Sequence, residues 1–247
     1  MQITFVSPGS IAAALHPPRG VTAIVGGGGK TTLMQSLAEE LSARAHVVIT
    51  TTTHIWFPDW TPVLLNPTEA AVKRAFLEHP GRPICVASPA LSGKLCASDM
   101  PMEALMRLAD YVLVEADGAK RLPLKAPAAH EPVIPKETGL VIAVAGLDGI
   151  GHAIEQTAFR PERYAALLQT TVDHAITPKD AATVMMHELG LRKAVEPSMR
   201  FSIVLNKADD DRCMALADEI AKHIPQALAE RVICTSFLRR NQHVGID

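Results

Sequence analysis

Val21-Thr-Ala-Ile-Val-Gly26-Gly27-Gly28-Gly29-Lys30-Thr31-Thr32 joins a β-branched apolar run to a loop of four glycines. Leu33, Leu37 and Leu41 then recur every four residues, the spacing of one helix face. A strand, a glycine loop and a helix in that order are the context a phosphate-binding loop requires. The glycines let the backbone curl so that N–H groups of Gly26, Gly27, Gly28 and Gly29 turn inward at phosphate oxygens. The helix start adds its dipole and its unpaired donors. In this reading Lys30 reaches the terminal phosphates, the Thr31 hydroxyl ligates Mg²⁺, and Thr32 completes the motif. A merely flexible glycine turn would not need Lys-Thr-Thr after it.

The loop departs from G-x-x-x-x-G-K-[ST], because position 24, where that pattern wants glycine, is Ile24. It looks like the shorter G-x-x-G-K-T-T from Gly26, similar to the loop of Mur-type amide ligases. A dinucleotide-binding fingerprint fails, since Thr31 stands where its third glycine belongs.

Working outward, short β-branched runs at 21–25, 46–51, 83–87, 111–115, 140–145, 201–205 and 231–235 alternate with segments of helical period. Continuous apolar runs are how strands covered on both faces look. Thr177-Pro178 reads as an N-cap with proline at the first helical position, and Gly190 as the C-cap of that helix. The pattern predicts an α/β, three-layer P-loop NTPase-like fold: a mostly parallel sheet with helices on both faces. No linker splits the chain, so residues 1–247 read as one nucleotide-binding domain. The proline-rich stretch from Gly118, at about 118–138, has little helical or strand period and reads as a long irregular functional loop.

Three further groups carry candidate chemistry. Thr50-Thr-Thr-Thr53-His54 ends a strand at the edge where ligands bind in such sheets, so Thr53 or His54 is placed to meet Mg²⁺ or a γ-phosphate, although threonines suit a strand by propensity alone. Tyr111-Val-Leu-Val-Glu115-Ala-Asp117-Gly118 is a buried strand ending in two carboxylates, as a strand that holds Mg²⁺ or its water requires. Glu115 and Asp117 share a face if the strand continues. Glu115-x-x-Gly118 also falls where GTPases carry a glycine whose amide senses the γ-phosphate. Beyond it, Lys120, Arg121, Lys125, His130 and Glu131 are either a solvated loop or groups that stabilise charge on a transferring phosphate and bind a metal or substrate. Lys30, Glu115, Asp117, Lys120 and His130 are the catalytic candidates; Thr31, Thr53, Glu115 and Asp117 are the metal candidates.

The last group is Leu205-Asn206-Lys207-Ala208-Asp209, straight after an apolar run. Asn-Lys-x-Asp matches a guanine-specificity motif, in which Asp209 accepts both N1–H and the N2 amine of guanine, donors adenine lacks. Asn206, Lys207 and Asp209 are therefore the base-side candidates, with Cys234-Thr-Ser236 as a further base-side loop. GTP and ATP both remain open as the nucleotide.

Composition narrows the classes. Half of the 247 residues are apolar (48%), which suits a folded globular chain. A net charge of −2, with no block of Lys and Arg, lacks the footprint of a nucleic-acid binder. No apolar run is long enough for a membrane span, and the first twenty residues lack a basic leader, so neither membrane nor secretion is expected. Cys85, Cys96, Cys213 and Cys234 form no CxxC pair and read as reduced thiols, three of them in or beside apolar runs.

Taken together, Gly26-Gly-Gly-Gly-Lys-Thr-Thr32, Thr50-Thr-Thr-Thr53, Leu113-Val-Glu-Ala-Asp-Gly118, Pro123-Leu-Lys-Ala-Pro127, His130-Glu-Pro-Val-Ile-Pro135, Gly146-Leu-Asp148 and Leu205-Asn-Lys-Ala-Asp209 resemble the YqeC-type selenium-dependent hydroxylase accessory proteins nearly end to end. The resemblance implies a bacterial, cytoplasmic P-loop protein associated with molybdenum hydroxylases or their cofactor-maturation proteins. A nucleoside triphosphatase, an ATP-dependent ligase or kinase acting on a small acid or cofactor, and a non-catalytic nucleotide switch that binds a client enzyme all fit these residues.

Overall fold

The computed structural model describes residues 3–238 other than 226 and 228. Its strands, in chain order, are β1 (Thr4–Phe5), β2 (Gly20–Gly26), β3 (Val47–Thr51), β4 (His54–Trp56), β5 (Val63–Leu65), β6 (Ile84–Pro89) and β7 (Lys94–Cys96). They continue with β8 (Tyr111–Glu115), β9 (Leu124–Lys125), β10 (Thr138–Gly146), β11 (Ala158–Phe159), β12 (Arg200–Asn206) and β13 (Arg231–Thr235). The helices are α1 (Ile11–Leu15), α2 (Lys30–Ser42), α3 (Glu69–Glu78), α4 (Met102–Leu108), α5 (Ile154–Thr157), α6 (Pro161–Leu168), α7 (Pro178–Met186) and α8 (Asp211–Lys222).

One sheet runs β1-β13-β12-β10-β2-β8-β3-β6-β7-β4, and β5 pairs with β6 beside it. The pairs from β1 to β6, and that between β5 and β6, are parallel; β7 and β4 close one edge antiparallel. The seven apolar runs are its long strands, and their alternating side chains supply two opposite cores. On one face Ile24, Ile142 and Leu113 pack with α1 and α2 through Ile11, Leu15, Leu33 and Leu37. On the other, Ala23, Val25 and Val141 meet α6 to α8, while Val48, Val112 and Val114 meet α3 and α4. The fold is therefore the expected three-layer α/β arrangement of a mostly parallel sheet between helices.

The run expected at 46–51 is β3, which ends at Thr51. Two local readings are revised. α7 has the expected Thr177 cap, a reciprocal capping box with Asp180, but ends at Met186 with His187 as its C-cap. Gly190 lies beyond, where Leu191 N–H reaches back to the Val184 carbonyl at 3.1 Å and a Cβ at 190 would sit 1.9 Å from that oxygen. The stretch 118–135 is not a solvated loop: most of residues 122–128 is buried, and β9 in its middle pairs with β11. Cys85 and Cys234 are buried, Cys96 and Cys213 half-buried, and all four are free thiols. Among the described residues no helix is long and apolar enough to cross a membrane.

Candidate nucleotide site

β2 delivers the glycine loop between two neighbours, β10 and β8, at the carboxyl edge of the sheet. The loop is cast against them tightly. A Cβ at Gly26 would lie 2.2 Å from the Val144 carbonyl, at Gly28 2.2 Å from Gly146 N, and at Gly27 2.7 Å from the Leu122 carbonyl. Gly26, Gly28 and Gly29 also have φ of +100°, +69° and +114°, which side chains other than glycine rarely adopt. Three loop amides are already engaged. Gly26 N–H donates to the Asp117 carboxylate, Gly27 N–H to the Val144 carbonyl and Gly28 N–H to the Leu122 carbonyl. This departs from a loop whose four glycine amides all face a ligand. The donors left to the cleft belong to the start of α2, which has Gly29 as N-cap and no side chain capping its first turn.

Directly under that turn, Thr31 Oγ1 donates to Glu115 Oε2 at 3.0 Å. Register explains the meeting, since Glu115 pairs with Ile24 on one side and Thr51 on the other. Lys30 Nζ donates to the Gly26 carbonyl at 2.7 Å and lies 3.1 Å from Asp117 Oδ1 and 3.9 Å from Glu115 Oε1. Burial pulls the Lys30 ammonium down, but Asp117 and Glu115 outweigh it and its pKa stands above the ordinary lysine value. Glu115 goes the other way for a carboxylate: burial lifts it, and the Lys30 and Thr31 contacts only partly offset the lift. β8 ends at Glu115, and Asp117, two residues on, still converges with it on Lys30 Nζ. It turns inward beneath the loop, fully buried.

From Asp117 the charges continue as an alternating ladder. Asp117 Oδ2 meets Lys125 Nζ at 2.8 Å, Lys125 meets Glu131 Oε2 at 2.6 Å, and Arg160 grips Glu131 with two hydrogen bonds of 2.8 and 2.9 Å. Lys125 also donates to the Gly118 carbonyl, and its side chain has no exposed surface. Burial lowers the Lys125 pKa more than its two carboxylates raise it. For Glu131 burial acts upward, and the hydrogen bonds and charges of Arg160 and Lys125 prevail, holding it below the usual carboxylate range. The Arg160 guanidinium lies 4.3 Å from the Phe159 ring centre, and Lys120 Nζ 5.4 Å from it.

On the other flank, Asn206 Nδ2 donates to the Gly28 carbonyl at 2.7 Å, tying the end of β12 to the glycine loop. Lys207, with φ of +66°, reaches Asp148 Oδ2 at 2.5 Å. Ser236 Oγ donates to Asp209 Oδ1, so the proposed base-side loop does stand against Asp209.

Residues 22–162 match the family described as "YqeC protein". A chain named "Uncharacterized protein YqeC" from Escherichia coli (strain K12) is 34% identical over 194 residues, 76% of this chain and 75% of that one. The chain belongs to the YqeC family. The matched segment of the YqeC family contains the whole ladder from Lys30 to Arg160, whereas Asn206 to Asp209 lie beyond it.

In this YqeC chain a cleft of about 610 Å³ gathers Gly27 to Thr32, Thr53, Glu115, Lys120 and Lys207. It does not gather every candidate: His130 is exposed and outside that lining, while its neighbour Glu131 and the alternative histidine, His54, are within it. Asp117, Asn206 and Asp209 stand behind or beside the wall. Sequence reasoning passed over Trp56, Lys94, Phe159 and Arg160, all of which line the cleft. Arg160 carried a usable signal, an arginine directly before the proline of α6, but its bidentate partner Glu131 is 29 positions away.

Proposed function

We propose that this YqeC chain is a Mg²⁺-dependent P-loop protein that binds and hydrolyses a nucleoside triphosphate. We place it as an accessory factor for a selenium-dependent molybdenum hydroxylase or its cofactor-maturation proteins. The first part is carried by one observation: Thr31 Oγ1 and Glu115 Oε2 meet at 3.0 Å under an uncapped helix start, with Lys30 beside them. Hard oxygens from one hydroxyl and one carboxylate, facing a space for phosphates, suit Mg²⁺, which keeps waters and substrate oxygens in its remaining positions. The maturation context rests on the family resemblance of the motifs.

In this reading Lys30 and the first N–H groups of α2 hold the charge of the terminal phosphates, and Thr31 with Glu115 would hold the metal or its water. Lys30 exchanges its bond to the Gly26 carbonyl for phosphate while Asp117 keeps it in place. Water attacks the terminal phosphorus in line, and positioning with charge stabilisation supplies most of the rate. His54 is the histidine candidate that faces the cleft. The Asn-Lys-x-Asp match at 206–209 favours guanine as the base, with Asn206 tied to the glycine loop through Gly28 and Asp209 held by Ser236.

Calorimetry with Mg²⁺ and non-hydrolysable GTP and ATP analogues tests this. We expect GTP to win by about tenfold, roughly 1.4 kcal/mol, and Asp209→Asn to abolish the preference. Glu115→Gln should remove the Mg²⁺ dependence of binding. If neither nucleotide binds the wild-type chain, the reading is wrong; if ATP binds as well and Asp209→Asn changes nothing, the base assignment alone is wrong. An ATP-dependent kinase or ligase remains the second reading, because the cleft continues past Glu115.

A further inference from the structure

The cleft is asymmetric about its phosphate loop. In strand order the base-side strand β12 lies on one side of β2, and the antiparallel pair β4–β7 lies on the other, beyond β8, β3 and β6. The same cleft is lined from both directions, by Lys207 on the first side and by Thr53, His54, Trp56 and Lys94 on the second. A nucleotide whose base sits toward β12 and whose last phosphate meets Lys30 and Thr31 leaves the β4–β7 side to something else.

Charge says what that is. Lys30 is balanced by Asp117, Arg160 by Glu131 and Lys207 by Asp148. Among the described residues Lys94, Lys120 and Arg121 have no carboxylate partner within ion-pair distance, though all three line the cleft. Lys94 Nζ rests instead over the ring of Trp56, 4.9 Å from its centre. With Lys125 included, seven cations stand against the four carboxylates Glu115, Asp117, Glu131 and Asp148. A magnesium–nucleoside triphosphate complex is a dianion, so its arrival leaves the cleft still positive.

We propose that the β4–β7 side of the cleft is a subsite for a second substrate, a small acceptor bearing a carboxylate or phosphate that Lys94 recognises. This rests on the nucleotide-binding part of the reading above and takes up its second, kinase or ligase form in place of hydrolysis, because the acceptor lies on the terminal-phosphate side of Glu115. There one of its oxyanion oxygens takes the place of water. It bonds to the terminal phosphorus as the bond to the β,γ-bridging oxygen breaks, and the electron pair leaves with the nucleoside diphosphate. No proton need move, and the product is an acyl phosphate or an extended phosphate.

Trp56 supplies the reporter, since an anion that engages Lys94 draws the ammonium from the indole. In a Trp60→Phe background the chain is first titrated with Mg²⁺ and a β,γ-imido nucleotide, then, once saturated, with inorganic phosphate or malonate against potassium chloride of equal ionic strength. We expect a saturable change in Trp56 fluorescence with at least one anion; phosphate alone identifies a phosphate-bearing acceptor, malonate alone a carboxylate. Lys94→Gln, which has no ammonium over the indole and is therefore titrated by calorimetry beside wild type, should weaken that anion about tenfold, the size of a charge-assisted hydrogen bond, and leave nucleotide affinity within about twofold. If the nucleotide binds but neither anion exceeds chloride, or Lys94→Gln saturates like wild type, the subsite does not exist. Failure of the first titration instead removes the nucleotide reading, and the subsite with it.

Discussion

The glycine loop at 26–32 and the segment at 118–135 that straps over it are built on opposite principles. The loop is specified by backbone geometry: left-handed φ values and close approaches that leave no room for a Cβ at Gly26 or Gly28. The strap is specified by side-chain charge, through Lys125 between Asp117 and Glu131, while its backbone contributes acceptors at Leu122 and Pro123 to Gly28 and Gly146. Geometry of the first kind is written in adjacent residues. Charge pairing of the second kind is written only in residues that folding brings together.

The sharpest way to separate the two is at Lys125. Its removal leaves Asp117 and Glu131 buried and short of a cation, although Lys30 and Arg160 still touch one each. Breaking a buried ion pair by deleting one partner costs about 3–5 kcal/mol, so Lys125→Met should lower the urea midpoint by the largest amount of any single change considered. Loss of nucleotide binding should follow from the loosened loop. A stability loss under about 1 kcal/mol would show that the strap is held by its backbone rather than by its charges.

The converse test is a methyl group. Gly28→Ala places Cβ against the backbone of Gly146 and demands a left-handed φ, which together should cost about 2–4 kcal/mol. Gly118→Ala, on the strap, meets open space and should stay within about 0.5 kcal/mol of wild type. Equal effects at the two glycines, read by thermal unfolding at one protein concentration, would erase the distinction between a geometric loop and an electrostatic strap.

Legibility in the sequence followed the same division. The seven long strands were readable because each is an apolar run buried on both faces, and the α7 start because a capping box is local. Thr31 with Glu115 was readable because a loop motif and a strand-end acid each stand alone, needing only a parallel pairing of β2 and β8. The strap was readable as a long irregular functional segment, but its burial was not, because Pro123, Lys125 and Glu131 look polar and aperiodic in line. Only when Asp117 turns beneath the loop does Lys125 acquire a reason to be buried. β4 and β7 were missed for a related reason: three-residue strands carry no period, and each is defined by the other. The C-cap moved from Gly190 to His187 for a local reason: the chain turns back after Met186, bringing residue 190 against the Val184 carbonyl where a side chain would not fit.

The smallest expected effect is also the most diagnostic, because two carboxylates of this site should respond to pH with opposite signs. Glu131, on the strap, has a folded-state pKa below its unfolded value of 4.5, so the stability it contributes is present above that value and is lost as pH falls beneath it. Glu115, beside the loop, has a folded-state pKa above 4.5, so the folded chain holds its proton more firmly. Stability therefore declines as pH rises from 4.5 through that raised value. Urea midpoints followed from acid to neutral pH should show Glu131→Gln flattening the loss on the acid side. Glu115→Gln should flatten the decline toward neutrality and leave the neutral protein no less stable than wild type. Saturating Mg²⁺ and nucleotide should mimic the second substitution, since a cation facing Glu115 offsets the same buried charge, and should leave the Glu131 limb unchanged. Two substitutions that moved the profile in the same direction would mean that loop and strap share one electrostatic balance rather than two.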